Sequence, residues 1–286
     1  DVASEFLPGG SLVVYTQGRT GKDSQLRASS NGLFRKGGLA ILVDEYTASA
    51  AEIVSGAVQD HDRGVIVGRR TFGKGLVQRP VELPDGSMIR LTVSHYYTPS
   101  GRCIQKPYVK GEKEKYNEDL NTRFTHGELM HLDSIHLDST KVYTTLEKHR
   151  IVYGGGGIMP DIFVPLDTTS YTPYYRALSR NNLITQAALR FTDSNRKPIL
   201  RRYKSFDDYL SSYAIPTSLL DDIEKEAEKK GIKPKDEAER KEAREDMAFM
   251  LKALVAYNVW DRNEYFRIIN QKNDIVKRAL EELQKP

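Results

Sequence analysis

The stretch GLAILVDEYTASAAEIVSGAVQDHDRGVIVGR, residues 38–69, predicts a strand, a helix and a second strand in close succession. Residues 38–46 contain a continuous apolar run, which is typical of a buried strand. In residues 48–61 the apolar residues recur at the spacing of one helical face. A second short apolar strand follows at 64–69. The apolar face of the predicted helix consists of Ile53, Val54, Ala57 and Val58.

The rest of the chain divides by composition. Two alternating strands are predicted on either side of the turn signal Pro-Asp-Gly at residues 84–86. A polar stretch rich in Lys and Glu interrupts the α/β pattern, and a strongly charged helical region ends the chain. We therefore predict an α/β fold with a core at 1–106 and 150–197, a polar surface insertion at 107–149, and an α-helical C-terminal domain at 198–286.

Composition excludes several classes of protein. The 43 basic and 39 acidic residues nearly cancel to a formal charge of +4, which argues against a nucleic-acid binder that relies on bulk charge. The single cysteine, Cys103, excludes an internal disulfide and a cysteine-rich metal site. No apolar run approaches the roughly 18 residues of a membrane span. The start, DVASEFLPGG, has neither a signal-peptide pattern nor an initiator Met, so a processed or cut piece is expected.

A lysine at position 74 first suggests a phosphate-binding loop. Gly68, Gly73 and Lys74 fit the frame G-x-x-x-x-G-K, but Gly75 replaces the Ser or Thr whose hydroxyl would bind magnesium. A strand pattern follows, whereas a phosphate loop runs into a helix whose free N–H groups point at the phosphates. The sequence therefore predicts neither a nucleotide site nor a nucleotide cofactor.

Ser49 lies just after the first buried strand and at the start of the helix. Such strand-turn-helix junctions often carry the nucleophilic serine of hydrolases, although the surrounding TASAAE is not the motif G-x-S-x-G. Taken locally, the sequence favours a simpler interpretation, in which Ser49 or Thr47 only caps the helix.

A nucleophilic serine needs a base. His61 and Asp62 lie about 18 Å away at the other end of the helix, at 1.5 Å per residue, and are predicted to be surface polar residues. Lys74 can serve instead in a Ser-Lys dyad, provided that burial among apolar neighbours keeps its amine uncharged. If residues 74–78 form a strand, Lys74 and Gln78 point to the same face, and the Gln78 amide could hold the amine.

The insertion contains His126, His131 and His136. Their spacing does not match the i,i+4 pair of a helical zinc site. No metal site is predicted.

Four stretches together resemble the carboxy-terminal processing, or tail-specific, proteases of the S41 serine peptidase family. They occur in the order of that family, and Ser49 and Lys74 have the family's spacing of 25 residues. The resemblance covers roughly residues 1–106 and 150–166. The stretches are FLPGG (6–10), TASAAEIVSGAVQDHDRGVIVGRRTFGKGLVQ (47–78), LPDGSMIRLTVSHYYTPSGRCIQ (83–105) and GIMPDIFV (157–164).

The resemblance implies a serine endopeptidase that cleaves proteins near their C-termini without a cofactor. Ser49 would be the nucleophile, Lys74 the general base and Gln78 the residue that orients Lys74. The backbone N–H of Ala50 would contribute to the oxyanion hole. The implied fold is a ClpP/crotonase-like catalytic core, and the implied location is the bacterial periplasm or cell envelope.

The resemblance also implies that parts of the protease precede this chain. Family members carry, upstream of the matched segment, a PDZ domain and a turn of the type Asn-x-Gly-Gly whose glycine completes the oxyanion hole. The core is therefore expected to be truncated at its N-terminus, with impaired activity as a piece on its own. Its partners would be protein or peptide substrates with accessible C-termini. The alternative is a non-catalytic module that binds peptides or subunits, and the helical region could support a homo-oligomer.

Overall fold

The computed structural model describes residues 1–18, 23–109 and 111–285, and the chain forms two compact units. The first unit comprises Asp1–Leu166 together with the residues from Arg278 onward, and the second comprises Asp167–Lys277. The first unit mixes strands and helices, and the second is helical. The predicted order of an α/β core followed by a helical region is confirmed.

A parallel sheet at the centre of the first unit contains β3 (Ala40–Val43), β4 (Val65–Gly68) and β9 (Ile162–Phe163), in the order β3-β4-β9. Helix α1 (Ala50–Asp60) connects β3 to β4. The strand-helix-strand prediction for residues 38–69 is therefore confirmed. The pairing runs from Ala40 opposite Val65 to Val43 opposite Gly68, so β3 and β4 end side by side.

The predicted apolar face of α1 packs against the core, with Ile53 and Val54 half-buried. Ala57 and Val58 have no exposed surface, and Val58 belongs to a cluster with Ile66 of β4 and Ile158. Burying a side chain of this size stabilises a fold by about 1.5–3 kcal/mol. This packing fixes α1, and thereby its first residue, against the sheet.

A second sheet of the first unit is antiparallel and contains β1 (Leu12–Gln17), β2 (Ser24–Arg27), β5 (Leu76–Glu82) and β6 (Met88–Tyr97). Its strand order is β2-β1-β6-β5. The hairpin predicted from Pro-Asp-Gly is confirmed, because Glu82 pairs with Met88 across the turn. From residue 78 to residue 93 the hairpin is exposed on both faces.

The segment 107–149 contains helix α2 (Lys113–Thr125) and strand β7 (Val142–Thr144), which pairs with β8 (Ile151–Tyr153). Most of its described residues are exposed, as a surface insertion would be. Arg123 and Glu128, however, are buried.

The second unit consists of helices packed through two apolar clusters. On the long helix at Glu237–Val259, the side chains of Met247, Leu251 and Val255 are fully buried. Helices begin at Pro173 rather than near residue 198, because Leu178, Leu183 and their neighbours pack into the same cluster as Met247. The helices from this point are α3 (Pro173–Arg180), α4 (Leu183–Arg202), α5 (Phe206–Ser212), α6 (Thr217–Lys229), α7 (Glu237–Val259), α8 (Arg262–Ile269) and α9 (Asp274–Leu283).

Two negative findings concern the described residues 1–18, 23–109 and 111–285. No helix there combines the length and the hydropathy that crossing a membrane requires. Within the same ranges, no group of three or more His, Cys, Asp or Glu side chains could hold a metal ion.

A buried ion pair joins the end of α1 to the loop after β6. The guanidinium of Arg102 donates to Asp60 Oδ1 and to Gln59 Oε1, each at 2.7 Å, and neither Arg102 nor Asp60 is exposed. The backbone N–H of Ser100 donates to the other oxygen of Asp60 at 2.9 Å. Burial lowers the pKa of Arg102, although the charge of Asp60 opposes this shift. The pair holds α1 from the end opposite Ser49.

Replacing Arg102 with Ala should lower the free energy of unfolding of the first unit by about 3–5 kcal/mol, because the buried carboxyl of Asp60 would be left without its ion-pair partner. Urea denaturation would measure this loss. The matched control is Lys115→Ala, which breaks the exposed pair with Glu112 and should change stability by at most about 1 kcal/mol. Equal effects of the two substitutions would contradict the prediction.

Candidate active site

Two loops leave the same edge of the parallel sheet, because Val43 and Gly68 end their strands as a pair. The loops are joined directly, since the backbone N–H of Phe72 donates to the carbonyl of Thr47 at 2.9 Å. Gly68 has a φ of +138°, and a Cβ atom there would lie 1.8 Å from the carbonyl oxygen of Val43. Only glycine permits this approach. The backbone geometry therefore explains why position 68 is a glycine, without any role in phosphate binding.

Ser49 is the N-cap residue of α1 and has an unusual backbone. Its φ of 59° and ψ of −120° lie in a region that residues other than glycine rarely adopt, and its side chain is half-buried. Such a conformation is unfavourable by about 1–3 kcal/mol and occurs most often at functional sites. Sharp turns of this kind present the nucleophile of hydrolases. The position fits the cap and the nucleophile equally, since one residue can do both.

The fully buried carboxylate of Glu52 joins the two loops. Its Oε2 accepts hydrogen bonds from the backbone N–H groups of Ser49 and Lys74, both at 2.8 Å. Its Oε1 accepts from the N–H of Gly73 at 2.7 Å and from the hydroxyl of Thr71. Four donors thus converge on one buried charge, which compensates for its desolvation. The backbone positions of Ser49 and Lys74 are therefore set by the same side chain.

The Lys74 side chain is exposed, so the expectation that apolar neighbours bury it is wrong. Two observations explain the difference. The ring of Phe72 lies 3.9 Å from the ammonium of Lys106 instead, and Leu76 is the first residue of β5, so Lys74 precedes the strand. Across the described residues, no hydrogen bond joins Ser49 Oγ to Lys74 Nζ. Catalytic hydrogen bonds are often long in a free enzyme and form only with substrate.

Gln78 is exposed on the hairpin, where its amide lies 3.5 Å from the hydroxyl of Thr92. In the part of the chain that the structure describes, it makes no hydrogen bond to Lys74. The pairing shifts between Val77 and Gln78, where β6 carries one extra residue. The condition that residues 74–78 form a strand is met only from Leu76 onward, because β5 begins there. Gln78 as the orienting residue stays a prediction.

Ala50 is the first residue of α1 and is exposed. Its backbone N–H donates to no acceptor among the residues that the structure describes. An unpaired N–H at a helix N-terminus favours negative charge, as an oxyanion would require.

At the other end of α1, His61 Nε2 lies 2.7 Å from the carbonyl of Leu12, and Asp62 pairs with Arg150. His61 and Asp62 are half-buried structural residues rather than surface ones, and they do not join Ser49.

A cavity of about 660 Å³ opens beside the loop that carries Lys74. Leu76 and Gln105 line it, and Gln105 Oε1 accepts a hydrogen bond from the N–H of Gly75 at 2.9 Å. Cys103 also lines it, and burial raises the pKa of its thiol, which favours the unreactive protonated form. The remaining lining is mixed. Its apolar or aromatic part is Tyr97, Pro107, Tyr108 and Tyr143, and its polar part includes Thr92, His95, Lys106 and Lys141.

The sequence predicts Ser49, Lys74, Gln78 and Ala50 as site residues, but it does not predict the contacts that Glu52 and Thr71 make there. The signal for Glu52 was present, because an acid three residues after a helix N-cap is the pattern of a capping box. That pattern predicts the bond to Ser49 but not the three bonds to the second loop, which the fold alone brings together.

Two family models match separate parts of the chain. Residues 1–113 match the family described as Peptidase family S41, and residues 174–261 match a family of unknown function, DUF8443. A carboxyl-terminal-processing protease of Synechocystis sp. is 43% identical over 106 residues, which are 37% of this chain and 24% of that protein. The chloroplastic carboxyl-terminal-processing peptidase 3 of Arabidopsis thaliana is 43% identical over 100 residues, 35% of this chain and 19% of that protein.

A probable CtpA-like serine protease of Staphylococcus aureus is 35% identical over 127 residues, 42% of this chain and 25% of that protein. The chain thus spans about a quarter or less of the length of these relatives. A solved photosystem II D1 C-terminal processing protease is 27% identical and covers 57% of this chain and 30% of its own, with a TM-score of 0.38. The segment that matches Peptidase family S41, residues 1–113, contains Ser49 and Lys74 together with the strands β3, β4 and β5 that flank them.

Proposed function

We propose that this chain is part of a serine endopeptidase that cleaves proteins near their C-termini through a Ser49-Lys74 dyad and an acyl-enzyme. The observation that carries the proposal is the Glu52 carboxylate, which bonds at 2.8 Å to the backbone of both residues. A helix cap alone does not require the Lys74 bond. The names of the matched relatives support the substrate class.

In the proposed reaction, neutral Lys74 takes the proton of the Ser49 hydroxyl as its oxygen attacks the peptide carbonyl. The N–H of Ala50 stabilises the oxyanion. The lysine then gives the proton to the leaving amine, and it activates the water that hydrolyses the ester at Ser49. Each step balances without a metal or a redox partner.

The exposed Lys74 must lose water to act as a base. A peptide bound across the site would cover the amine, which favours its uncharged form. Gln78 follows Lys74 by four residues and, after a side-chain rotation, its amide oxygen would orient the amine. The cavity lined by Leu76 and Tyr97 would take an apolar side chain of the peptide.

The partners of the proposed enzyme are protein or peptide substrates, and its proposed location is the periplasm or cell envelope. The relatives include bacterial and chloroplastic proteins, so the location follows only from the bacterial members. The helical unit, which matches a family of unknown function, is the proposed region of self-association.

One observation favours the alternative of a non-catalytic peptide-binding module, namely the exposed Lys74 without a bond to Ser49 among the described residues. A serine-directed phosphonate separates the two proposals. The proposed enzyme forms a covalent adduct at Ser49, which mass spectrometry locates. A pure binding module leaves Ser49 unmodified at every pH.

Replacing Lys74 with Ala should lower kcat for peptide cleavage by at least about 100-fold, because removing a general base typically has an effect of 10²–10⁴. KM should change little, since the substituted side chain moves a proton rather than binding the peptide. Lys115→Ala, at an exposed lysine of α2, is the matched control. Turnover by Lys74→Ala at the wild-type rate would contradict the dyad.

The strained backbone of Ser49 yields a separate stability prediction. The free energy of unfolding of Ser49→Gly should be about 1 kcal/mol higher than that of Ser49→Ala, because glycine adopts a φ of 59° without strain and alanine does not. Calorimetry would measure the difference, and neither variant should react with the phosphonate. A more stable Ser49→Ala would mean that Ser49 does not carry this strain.

A further inference from the structure

The insertion contacts the loop that carries Lys74 through a buried arginine. Arg123, in the last turn of α2, is 4% exposed. Its guanidinium donates to the carbonyl of Arg70 at 2.6 Å and to the carbonyl of Thr71 at 3.1 Å. The same side chain therefore contacts two consecutive residues of the loop that ends in Lys74.

A shared carboxylate strengthens this contact. Glu128 accepts a hydrogen bond at 2.8 Å from the Nε of Arg123 and another at 2.8 Å from the Nε of Arg70. Burial alone would raise the pKa of Glu128, but the hydrogen bonds and charges of Arg70 and Arg123 bring it below its ordinary value. Arg70 also donates to the carbonyl of Gly156 at 2.7 Å, so the pair is tied to the core as well.

A second buried cation holds the next residues of the loop. The backbone N–H of Lys106 donates to the carbonyl of Gly73 at 2.9 Å. Its ammonium lies 3.9 Å from the ring of Phe72 and 4.2 Å from the ring of Tyr116 in α2, and it pairs with Asp119 at 3.1 Å. Burial lowers the pKa of Lys106, while Asp119 opposes the shift.

These contacts place the loop between two buried sets of charges. Glu52 holds the N–H groups of Gly73 and Lys74 from one side, and Arg123 holds the carbonyls of Arg70 and Thr71 from the other. Buried charges are unfavourable unless they are paired and hydrogen-bonded, and a merely solvated insertion has no need of them.

We propose that the insertion at 107–149 positions the loop that carries the base, with Arg123 as the positioning residue. The inference rests on the proposed function in one respect, that Lys74 is the base. Arg123 acts through the backbone of residues 70–73 and touches neither substrate nor Ser49. Loss of its donors frees the carbonyls of Arg70 and Thr71, so that the N–H groups of Gly73 and Lys74 separate more often from Glu52.

Amide hydrogen exchange of the full chain tests the loop directly, because it needs no activity. In Arg123→Ala, the amides of Gly73 and Lys74 should exchange at least about tenfold faster than in the wild type. The amides of Ala57 and Val58 in α1 report whether the core remains folded, and they should keep their protection. Unchanged exchange at Gly73 and Lys74 would overturn the proposal.

A second variant, Arg123→Lys, keeps the test decisive if Arg123→Ala does not fold. One ammonium cannot reproduce the three donors that reach Glu128, Arg70 and Thr71, so its exchange rates should lie between those of the wild type and Arg123→Ala. If Arg123→Ala loses the protection of α1, wild-type exchange in Arg123→Lys at Gly73 and Lys74 overturns the proposal.

The kinetic arm separates positioning from simple stability. Arg123→Ala should lower kcat by about 100-fold with little change in KM, the effect expected when a catalytic group is misplaced by about 1 Å. The control is Arg244→Ala in the second unit, which breaks the pairs with Asp221 and Glu224 and should leave kcat unchanged. A wild-type kcat in Arg123→Ala would count against the positioning role of Arg123.

If the wild-type chain neither cleaves peptides nor reacts at Ser49, the proposed function fails. The hydrogen-exchange result then still decides whether Arg123 positions the loop.

Discussion

The carboxylate of Glu52 is the constraint on which the candidate site depends. It is fully buried, and its two oxygens accept from Ser49 and Lys74 at 2.8 Å, from Gly73 at 2.7 Å and from the Thr71 hydroxyl. A buried carboxylate with four donors tolerates little movement. Each hydrogen bond that is lost leaves a buried polar group without a partner, which is unfavourable by about 1–3 kcal/mol. The backbone positions of Ser49 and Lys74, the proposed nucleophile and the proposed base, are therefore set relative to each other by the Glu52 side chain.

The surrounding fold serves the same geometry. Parallel pairing of β3 and β4 ends both strands at one edge, the packing of Ala57 and Val58 fixes α1, and Arg102 with Asp60 holds its far end. The loop of Lys74 has a second support in Arg123 of the insertion. The site is thus fixed at the backbone, while the Lys74 side chain stays exposed. A fixed backbone with an exposed side chain suits a base that is desolvated only when the substrate covers it.

The sequence predicted the elements better than their contacts. Local periodicity sufficed for residues 38–69 and for the β5–β6 hairpin, because helix and strand patterns and turn residues are short-range signals. The family resemblance supplied Ser49 and Lys74 as a pair. Burial of Lys74 was predicted wrongly, since nothing local shows that Phe72 covers Lys106 instead. The bonds from Glu52 to residues 71–74 and from Arg123 to residues 70 and 71 were also invisible, because they depend on how distant segments meet.

The most direct test of the central claim is the rate at which a serine-directed phosphonate modifies Ser49 in Glu52→Gln. The amide keeps the size of the side chain but offers one acceptor oxygen, and its NH₂ group faces N–H donors. The dual attachment predicts labelling at least about tenfold slower than in the wild type, with faster exchange of the Gly73 and Lys74 amides. Glu82→Gln, on the exposed hairpin, should behave like the wild type. Wild-type labelling and wild-type exchange in Glu52→Gln would contradict the account.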